Sequence, residues 1–375
     1  MDLLSWTRRA ADCPKLNLDC ARDQGSLAAR FFLVRDAQPW HLRVFCNRMS
    51  ISGSWGREFQ VREKSSNEFR FGGHQTFALR IAWLPKAAAA IEAGEDPLSN
   101  PLDGVVSLGL GKNMVEALRC WIEAFNIAQK LNHHWTLTSL GRAIFGPLGH
   151  DQFLEDEQTL WLLHWKIATL RKAPFFAWEL LINRWNEPTF SVSAILEAFA
   201  EEAERVGRPL SPVSARQHFD VWLHTYVPSR SGRGEDSLDS PLSALRLIYP
   251  AGERQLPNGR RETVYAFDLE RKATVRQALF EYCIHDWWDA EFEHEETVTL
   301  REVTFGRASP GRVFRMSELE VRDRLDALSR SRDGSVELSE SVNQFVVRRR
   351  RKIDSLDLLA RVYEMTAQTL ETLDA

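Results

Sequence analysis

Apolar residues recur at helical spacing along much of the chain, and the clearest run begins near residue 113. There Met114, Leu118, Trp121, Ile122 and Phe125 fall on one face at a 3.6-residue period, which predicts an amphipathic helix. Asn113 stands three residues before Glu116, the spacing of a capping box at the start of that helix. Asn132-His133-His134 then reads as a turn, Trp135–Thr138 as a short strand and Gly141–Phe145 as a returning helix. Helix, hairpin and return together have the order of a winged helix-turn-helix. Upstream, Phe77, Ile81 and Leu84 share helical spacing, but Pro85 interrupts it and opens a new helix running through Ile91. Gly94–Gly104 reads as a linker.

Residues 156–206 are strongly helical in pattern. Trp161 and Trp165 share one face, as do Trp178, Leu181, Ile182 and Trp185, and these tryptophans are expected in the core. Gly207–Pro212 and Ser229–Pro241 punctuate the chain. Leu245–Tyr249 and Val264–Phe267 then flank a Gly/Pro/Asn turn and predict a β-hairpin with a long loop. Near the end, Leu319, Arg322 and Leu325 lie on a helix, and Val336–Leu338 and Gln344–Val347 form a candidate wing. A last amphipathic helix starts at Ser355 with Leu358, Leu359, Val362 and Met365.

The expected fold is mainly α with short β-hairpins: a winged-helix-like N-terminal unit, a helical domain and a candidate second winged-helix-like unit. The corresponding division is an atypical extension over 1–65, a motif-bearing winged-helix-like domain over 66–150 and a helical domain over 151–228. A linker and hairpin loop over 229–260 and a C-terminal domain over 261–375 complete it. The extension leans basic (Arg8, Arg9, Arg22, Arg30, Arg35, Arg43, Arg48) and lacks hydrophobic periodicity, so Met49 stands as an alternative start of translation.

Composition narrows the class. Thirteen Trp and 21 Phe against five Tyr suit a folded interior rather than a disordered chain. No apolar run approaches a membrane span and no secretory signal is visible. The five cysteines form no CxxC pair, which argues for a reducing, cytoplasmic setting without a disulfide framework or a cysteine zinc site. The net charge of −4 carries no whole-chain signature for nucleic acid, so any such binding must use local patches.

Three segments carry the candidate chemistry. FGGHQTFALRIAWLPK (Phe71–Lys86) sets His74 beside two glycines that let backbone approach a partner, with Gln75, Arg80 and Lys86 close by. LGLGKNMVEALRCW (Leu108–Trp121) opens like a phosphate loop. It fails as a nucleotide-hydrolysing one, because residue 106 is Val rather than Gly and Asn113 replaces the magnesium-binding Ser/Thr. What survives is a helix start with Lys112 and Asn113 that suits a DNA phosphate, with Arg119 further along. SPGRVFRMSE (Ser309–Glu318) is the third. Outside them, Arg348-Arg349-Arg350-Arg351-Lys352 ends the candidate C-terminal wing and suits DNA. CIHDWWDAEFEHEE (Cys283–Glu296) matches no nuclease spacing and reads as a solvated helix face, so no metal site is assigned.

These three segments resemble the signatures of an SspB-like family of uncharacterised bacterial proteins associated with DNA phosphorothioation and phage defence. Here Gln75 stands where that family commonly has Glu, and Leu110 where it has Val. The Gln75 change argues against a carboxylate base or metal ligand at that position. The resemblance implies a DNA-acting component, a strand-nicking partner of the sulfur-transfer machinery with divalent Mg or Mn as its cofactor. Double-stranded DNA, a cysteine desulfurase, an ATP-pyrophosphatase-type sulfurtransferase and an ATPase are the implied partners. Within it, His74, Gln75 and Arg80 are the catalytic candidates. Lys86, Lys112, Asn113, Arg119, Arg348, Arg349, Arg350 and Arg351 are the DNA-binding ones. The residues themselves offer no complete catalytic constellation, which keeps a catalytically silent, winged-helix DNA-binding or recruitment subunit as the alternative.

Overall fold

The computed structural model describes residues 69–228, 240–341 and 344–373. The N-terminal extension over 1–65, Met49 included, and the 229–239 part of the linker lie outside them. Among the described residues no helix is long and apolar enough to cross a membrane.

Helix α1 (Trp83–Glu92) takes Pro85 into its first turn, where a missing N–H costs no hydrogen bond. The expected linker is shorter than the sequence suggests. Asn100 accepts from the Leu102 N–H and Pro101 occupies the first position of α2 (Pro101–Leu108). Gly104 lets α2 press on its neighbour, because a Cβ there would stand 2.4 Å from the Pro97 carbonyl and 2.6 Å from Val115. Helix α3 (Lys112–Ala124) begins after Gly111 with no side-chain cap, so the expected capping box at Asn113 is absent. Strands β1 (Ala128–Leu131) and β2 (His134–Leu137) form the expected hairpin. Its turn holds Asn132 and His133 at φ of 48° and 71°, the left-handed pair that a two-residue turn requires. Thr138 then caps α4 (Ser139–Phe145) by accepting from the Gly141 N–H.

After α5 (Glu157–Ala168) one element order occurs twice. The first copy runs from α6 (Phe176–Trp178), which continues as a π-helical turn (Glu179–Arg184), through β3 (Thr189–Ser191) and α7 (Val192–Arg205). It ends with α8 (Pro212–Tyr226), β4 (Ile248–Gln255) and β5 (Arg261–Phe267). The second runs through α9 (Gln277–Glu291), β6 (Thr297–Thr299), α10 (Leu300–Phe305) and the short α11 (Pro310–Phe314). Helix α12 (Glu318–Arg330), β7 (Val336–Ser341) and β8 (Gln344–Arg349) complete it. In each copy the short first strand pairs antiparallel with the last, giving sheets ordered β3-β5-β4 and β6-β8-β7. The first strands end alike, on a residue whose hydroxyl caps the next helix: Ser191 toward Ala194 and Thr299 toward Glu302. Helix α13 (Ser355–Leu373) packs on α9.

The expected hairpins at 245–267 and 336–347 are therefore present, each with a third strand that the sequence hides. Three residues are too few to show a period-2 pattern. Trp161, Trp165 and Trp178 are fully buried as expected, with Trp121, Trp222, Trp287 and Trp288 beside them in one continuous cluster, whereas Trp185 is only half-buried against it. The acidic run on α9 is not the solvated face expected. Asp286 accepts from Trp165 Nε1 at 2.7 Å and from Lys166 at 3.0 Å, and His285 is buried.

The two copies meet at the π-helical turn. Glu179, buried at 3 % exposure, takes both forks of Arg307 at 2.9 Å and one bond from Arg184 at 3.2 Å. Arg315 closes the turn's far end, donating to the Leu181 and Trp185 carbonyls at 2.5 and 3.1 Å with its guanidinium 4.0 Å from the Phe267 ring centre. Such carbonyls have no partner within the helix, and this arginine supplies one. Removing Glu179 leaves one-third-exposed guanidinium groups short of their buried acceptor. Glu179→Ala is expected to cost about 2–3 kcal/mol in urea unfolding, whereas Arg205→Ala, on an exposed i,i+3 pair, costs under about 0.5 kcal/mol.

Candidate functional site

The segment that opens with Phe71 lies as an irregular loop across α3 and the first copy. Its anchor is a parallel bridge: Arg70 donates to the Pro174 carbonyl at 2.9 Å, and Phe176 donates back to Arg70 at 3.1 Å. Gly73 turns the loop inward at φ 101°, with space for a Cβ limited to 3.0 Å from Cys120 Sγ. That turn drives His74 into the interior. Its ring is 2 % exposed, stacked near Trp121 (centroids 5.9 Å apart) and parallel to His218 of α8 at 5.1 Å.

Hydrogen bonding fixes both tautomers. Ala177 N–H donates to His218 Nε2 at 2.9 Å, so that nitrogen carries no proton and Nδ1 must. His218 Nδ1–H therefore donates to His74 Nε2 at 2.9 Å, leaving His74 Nδ1–H to donate to the Gln75 carbonyl at 2.9 Å. The chain runs in one direction through two neutral rings, and neither ring retains a nitrogen for an outside group. Burial lowers the His74 pKa to about 4. It takes His218 well below the ordinary histidine range, helped by the neighbouring His74. A parallel chain lies deeper: Trp178 Nε1 donates to Tyr226 Oη at 2.8 Å, Tyr226 to His164 Nδ1 at 2.8 Å, and His164 Nε2 to the Val313 carbonyl at 3.0 Å. Burial likewise lowers His164 to about 4.

Gln75 leaves this interior for the surface. Held at φ 51°, it donates from Nε2 to Glu116 Oε2 on α3 at 2.9 Å, and Trp121 Nε1 donates to the Phe77 carbonyl at 3.1 Å. The first and second sequence motifs thus form one structure, with Glu116 serving Gln75 rather than a helix cap. Arg80 is half-buried, its guanidinium 5.9 Å from the Phe77 ring and 5.8 Å from Trp83. Lys86, Lys112 and Asn113 are exposed. Arg119 is half-buried and donates to the Ser99 carbonyl at 3.4 Å.

The C-terminal basic run is mostly committed. Arg349 pairs with Asp289 and lies 4.8 Å from the Trp288 ring centre. Arg350 donates to the Ser329 carbonyl at 3.0 Å, Arg351 to that of Asp333, and Lys352 stands 3.4 Å from Asp289. Arg348 is exposed on β8 and has no ion pair among the described residues.

Residues 71–363 match the family described as Protein of unknown function (DUF4007). The chain belongs to the DUF4007 family. Comparison with curated proteins gives no match. The fold of this DUF4007 protein is similar to that of a magnesium ion-bound SspB crystal structure, with a TM-score of 0.67 and 24% identity over 78% of this chain and 87% of that one. A second SspB crystal structure matches at a TM-score of 0.66, with the same identity and coverage. At this identity the likeness shows the fold.

A magnesium-bound relative invites a test of the donors in the DUF4007 protein. Among the described residues, no three His, Cys, Asp or Glu side chains group as a metal ion would require. Asp151, one of the acidic groups, accepts from the Glu155 and Asp156 N–H groups at 2.8 and 3.1 Å.

His218, Tyr226 and His164 are the site residues that sequence reading missed, and no local pattern marks them. The third motif also finds its role in contacts distant along the chain. Val313 receives the His164 bond, and Arg312 donates to Asn186 Oδ1 at 2.7 Å.

These histidines set a pH dependence. They are neutral when folded and accept protons more readily when unfolded, so their contribution is complete above about pH 6.5 and is lost as pH falls toward about 4. Urea midpoints are expected to fall between pH 6.5 and 5, above the carboxylate range, with a full loss on the order of 3 kcal/mol per histidine. A flat profile across that window would contradict the neutral chains.

Proposed function

We propose that this DUF4007 protein engages duplex DNA as a component of a phosphorothioation-linked phage-defence system, binding and recruiting rather than supplying the reacting groups. The observation that carries the reading is the element order of helix, short strand, helices and hairpin, with the first strand on the last, which occurs twice and includes an extra short helix in the second copy. This order supports a winged-helix reading, a fold unit that lays a helix in the major groove. The likeness to SspB structures supports the link to the sulfur-modification system. In that setting the partners are a cysteine desulfurase, an ATP-pyrophosphatase-type sulfurtransferase and an ATPase.

The geometry supports binding more than cleavage. His74, the strongest acid–base candidate, has both nitrogens occupied and acts as the residue that positions Gln75 against α3. Lys112 and Asn113, exposed at the start of α3, remain free to meet a phosphate. A second reading, strand nicking with Mg²⁺ or Mn²⁺, is favoured by the magnesium-bound state of the similar SspB structure.

Two assays separate them. Duplex affinity is expected to fall steeply between about 50 and 200 mM salt, and Lys112→Ala to weaken it by roughly tenfold if it loses one phosphate contact. Supercoiled plasmid with Mg²⁺ or Mn²⁺ is expected to stay intact above a mock preparation. Metal-dependent nicking by the wild type would favour the second reading, and no DNA binding at low salt would overturn both.

A further inference from the structure

The two copies of the repeated unit turn different chemistry toward solvent. In the first, α8 has no acidic residue in its first turn and exposes Val213, Ser214 and Gln217, with Arg216 paired to Asp220 at 2.8 Å. It packs on its sheet through Phe219 and Trp222, whose rings meet Phe190, with Trp222 also against Phe267. The β4–β5 hairpin extends into solvent: every residue of β4 after Ile248 is exposed, so neither face of that strand is covered. Its tip turns through Gly259 at φ 81°, with Asn258 Oδ1 accepting the Arg260 N–H at 3.0 Å.

The hairpin is also fixed close to its turn, where Arg254 stands across from Glu262. Arg254 donates to Glu262 at 2.5 Å and to Ser193 Oγ at 2.6 Å, while Glu262 accepts the Ser193 N–H at 3.2 Å. This network binds the strands to the start of α7 and holds the tip in place. At the tip, Arg260 has no ion pair among the described residues, and Arg261 stands 3.6 Å from an exposed Glu253. A pair so exposed yields readily to a phosphate.

The second copy is built otherwise. Helix α12 opens with the exposed Glu318, while Glu320 is buried and accepts from Arg324 and the Lys272 N–H, and its exposed face continues with Leu319, Arg322 and Asp323. Arg330 is tied to Asp326 at 2.7 Å, and the Arg322 guanidinium lies 4.3 Å from the Phe345 ring centre. Its wing sets Glu337 directly across from Arg348. Glu318, exposed at the start of this long helix, would face the phosphate backbone and repel it.

We infer that, of the two copies, the first faces DNA, with Arg260 and Arg261 at the hairpin tip on phosphates and Gln217 of α8 at the base edges, and that the second has no part in it. This rests on the proposed engagement of duplex DNA. Arginines of a projecting hairpin suit phosphate contacts, and a glutamine amide suits a base edge in the major groove.

The test measures binding to a linear duplex across a salt series for the full chain and three variants. Arg260→Glu/Arg261→Glu is expected to lose about tenfold or more at low salt, and to flatten the log–log salt slope by about two if both contact phosphate. Arg260→Ala alone, at an exposed position, gives a smaller loss in the same direction and guards against a folding defect. Arg348→Glu is expected to bind within about twofold of wild type. Wild-type binding with an unaffected double variant overturns the assignment and leaves the DNA reading standing, as does loss of binding in Arg348→Glu. No wild-type binding overturns the DNA reading and this inference with it.

Discussion

A one-way chain of neutral hydrogen bonds through His218 and His74 is the constraint on which the rest of the site depends. Imidazole is the one side chain that can pass a hydrogen bond through a buried ring, accepting at one nitrogen and donating at the other without charge. Here the donor is the Ala177 amide and the final acceptor is the Gln75 carbonyl, so the chain joins α6, α8 and the motif loop in one line. A proton added to His74 Nε2 or His218 Nε2 would set two donors against each other. The aromatic packing of Trp121 and Phe175 around His74 keeps water out, and the left-handed Gln75 follows from the direction in which the line ends.

The same economy of charge governs the second chain, from Trp178 through Tyr226 and His164 to Val313, which ties α6, α8, α5 and α11. Ionic contacts take over toward the joint between the two copies, where the arginine partners keep about a third of their side-chain surface in water. That division is physical. A buried charge needs several strong bonds to offset its desolvation, and Glu179 has them from Arg307, Arg184 and Asn183. The three sequence motifs thereby act as fasteners between elements far apart in the chain, with one end of the first, at Gln75, reaching the surface.

What the sequence revealed followed the strength of local periodicity. Helix α3 was legible because five apolar residues repeat over more than three turns, and the hairpin turn at Asn132-His133 because few residues tolerate a left-handed backbone. The α2 start was readable in Asn100-Pro101 but was masked by the surrounding Gly, Pro and Asp. Strands β3 and β6 were not readable, since each has three residues and gains its meaning only when the last strand pairs with it. His218 lies 144 residues from His74, and nothing near it announces a partner. Glu116 had the right spacing for a cap, yet a charged hydrogen bond from Gln75 outcompeted that local use.

The basic run at 348–352 shows why charge read along a chain misleads. Sequence counts five adjacent cations, but a strand alternates their faces and the neighbouring turns supply acceptors. Arg349 is drawn to Asp289 and Trp288, Arg350 and Arg351 to backbone carbonyls, and Arg348 alone is left outward on β8. A phosphate would have to displace bonds already made by the other three. The hairpin tip of the first copy has fewer cations and a more available pair, because Arg254 satisfies Glu262 beside the turn and leaves Arg260 without a carboxylate. In a chain of net charge −4, the surface that can hold a polyanion is set by which cations the fold leaves unpaired.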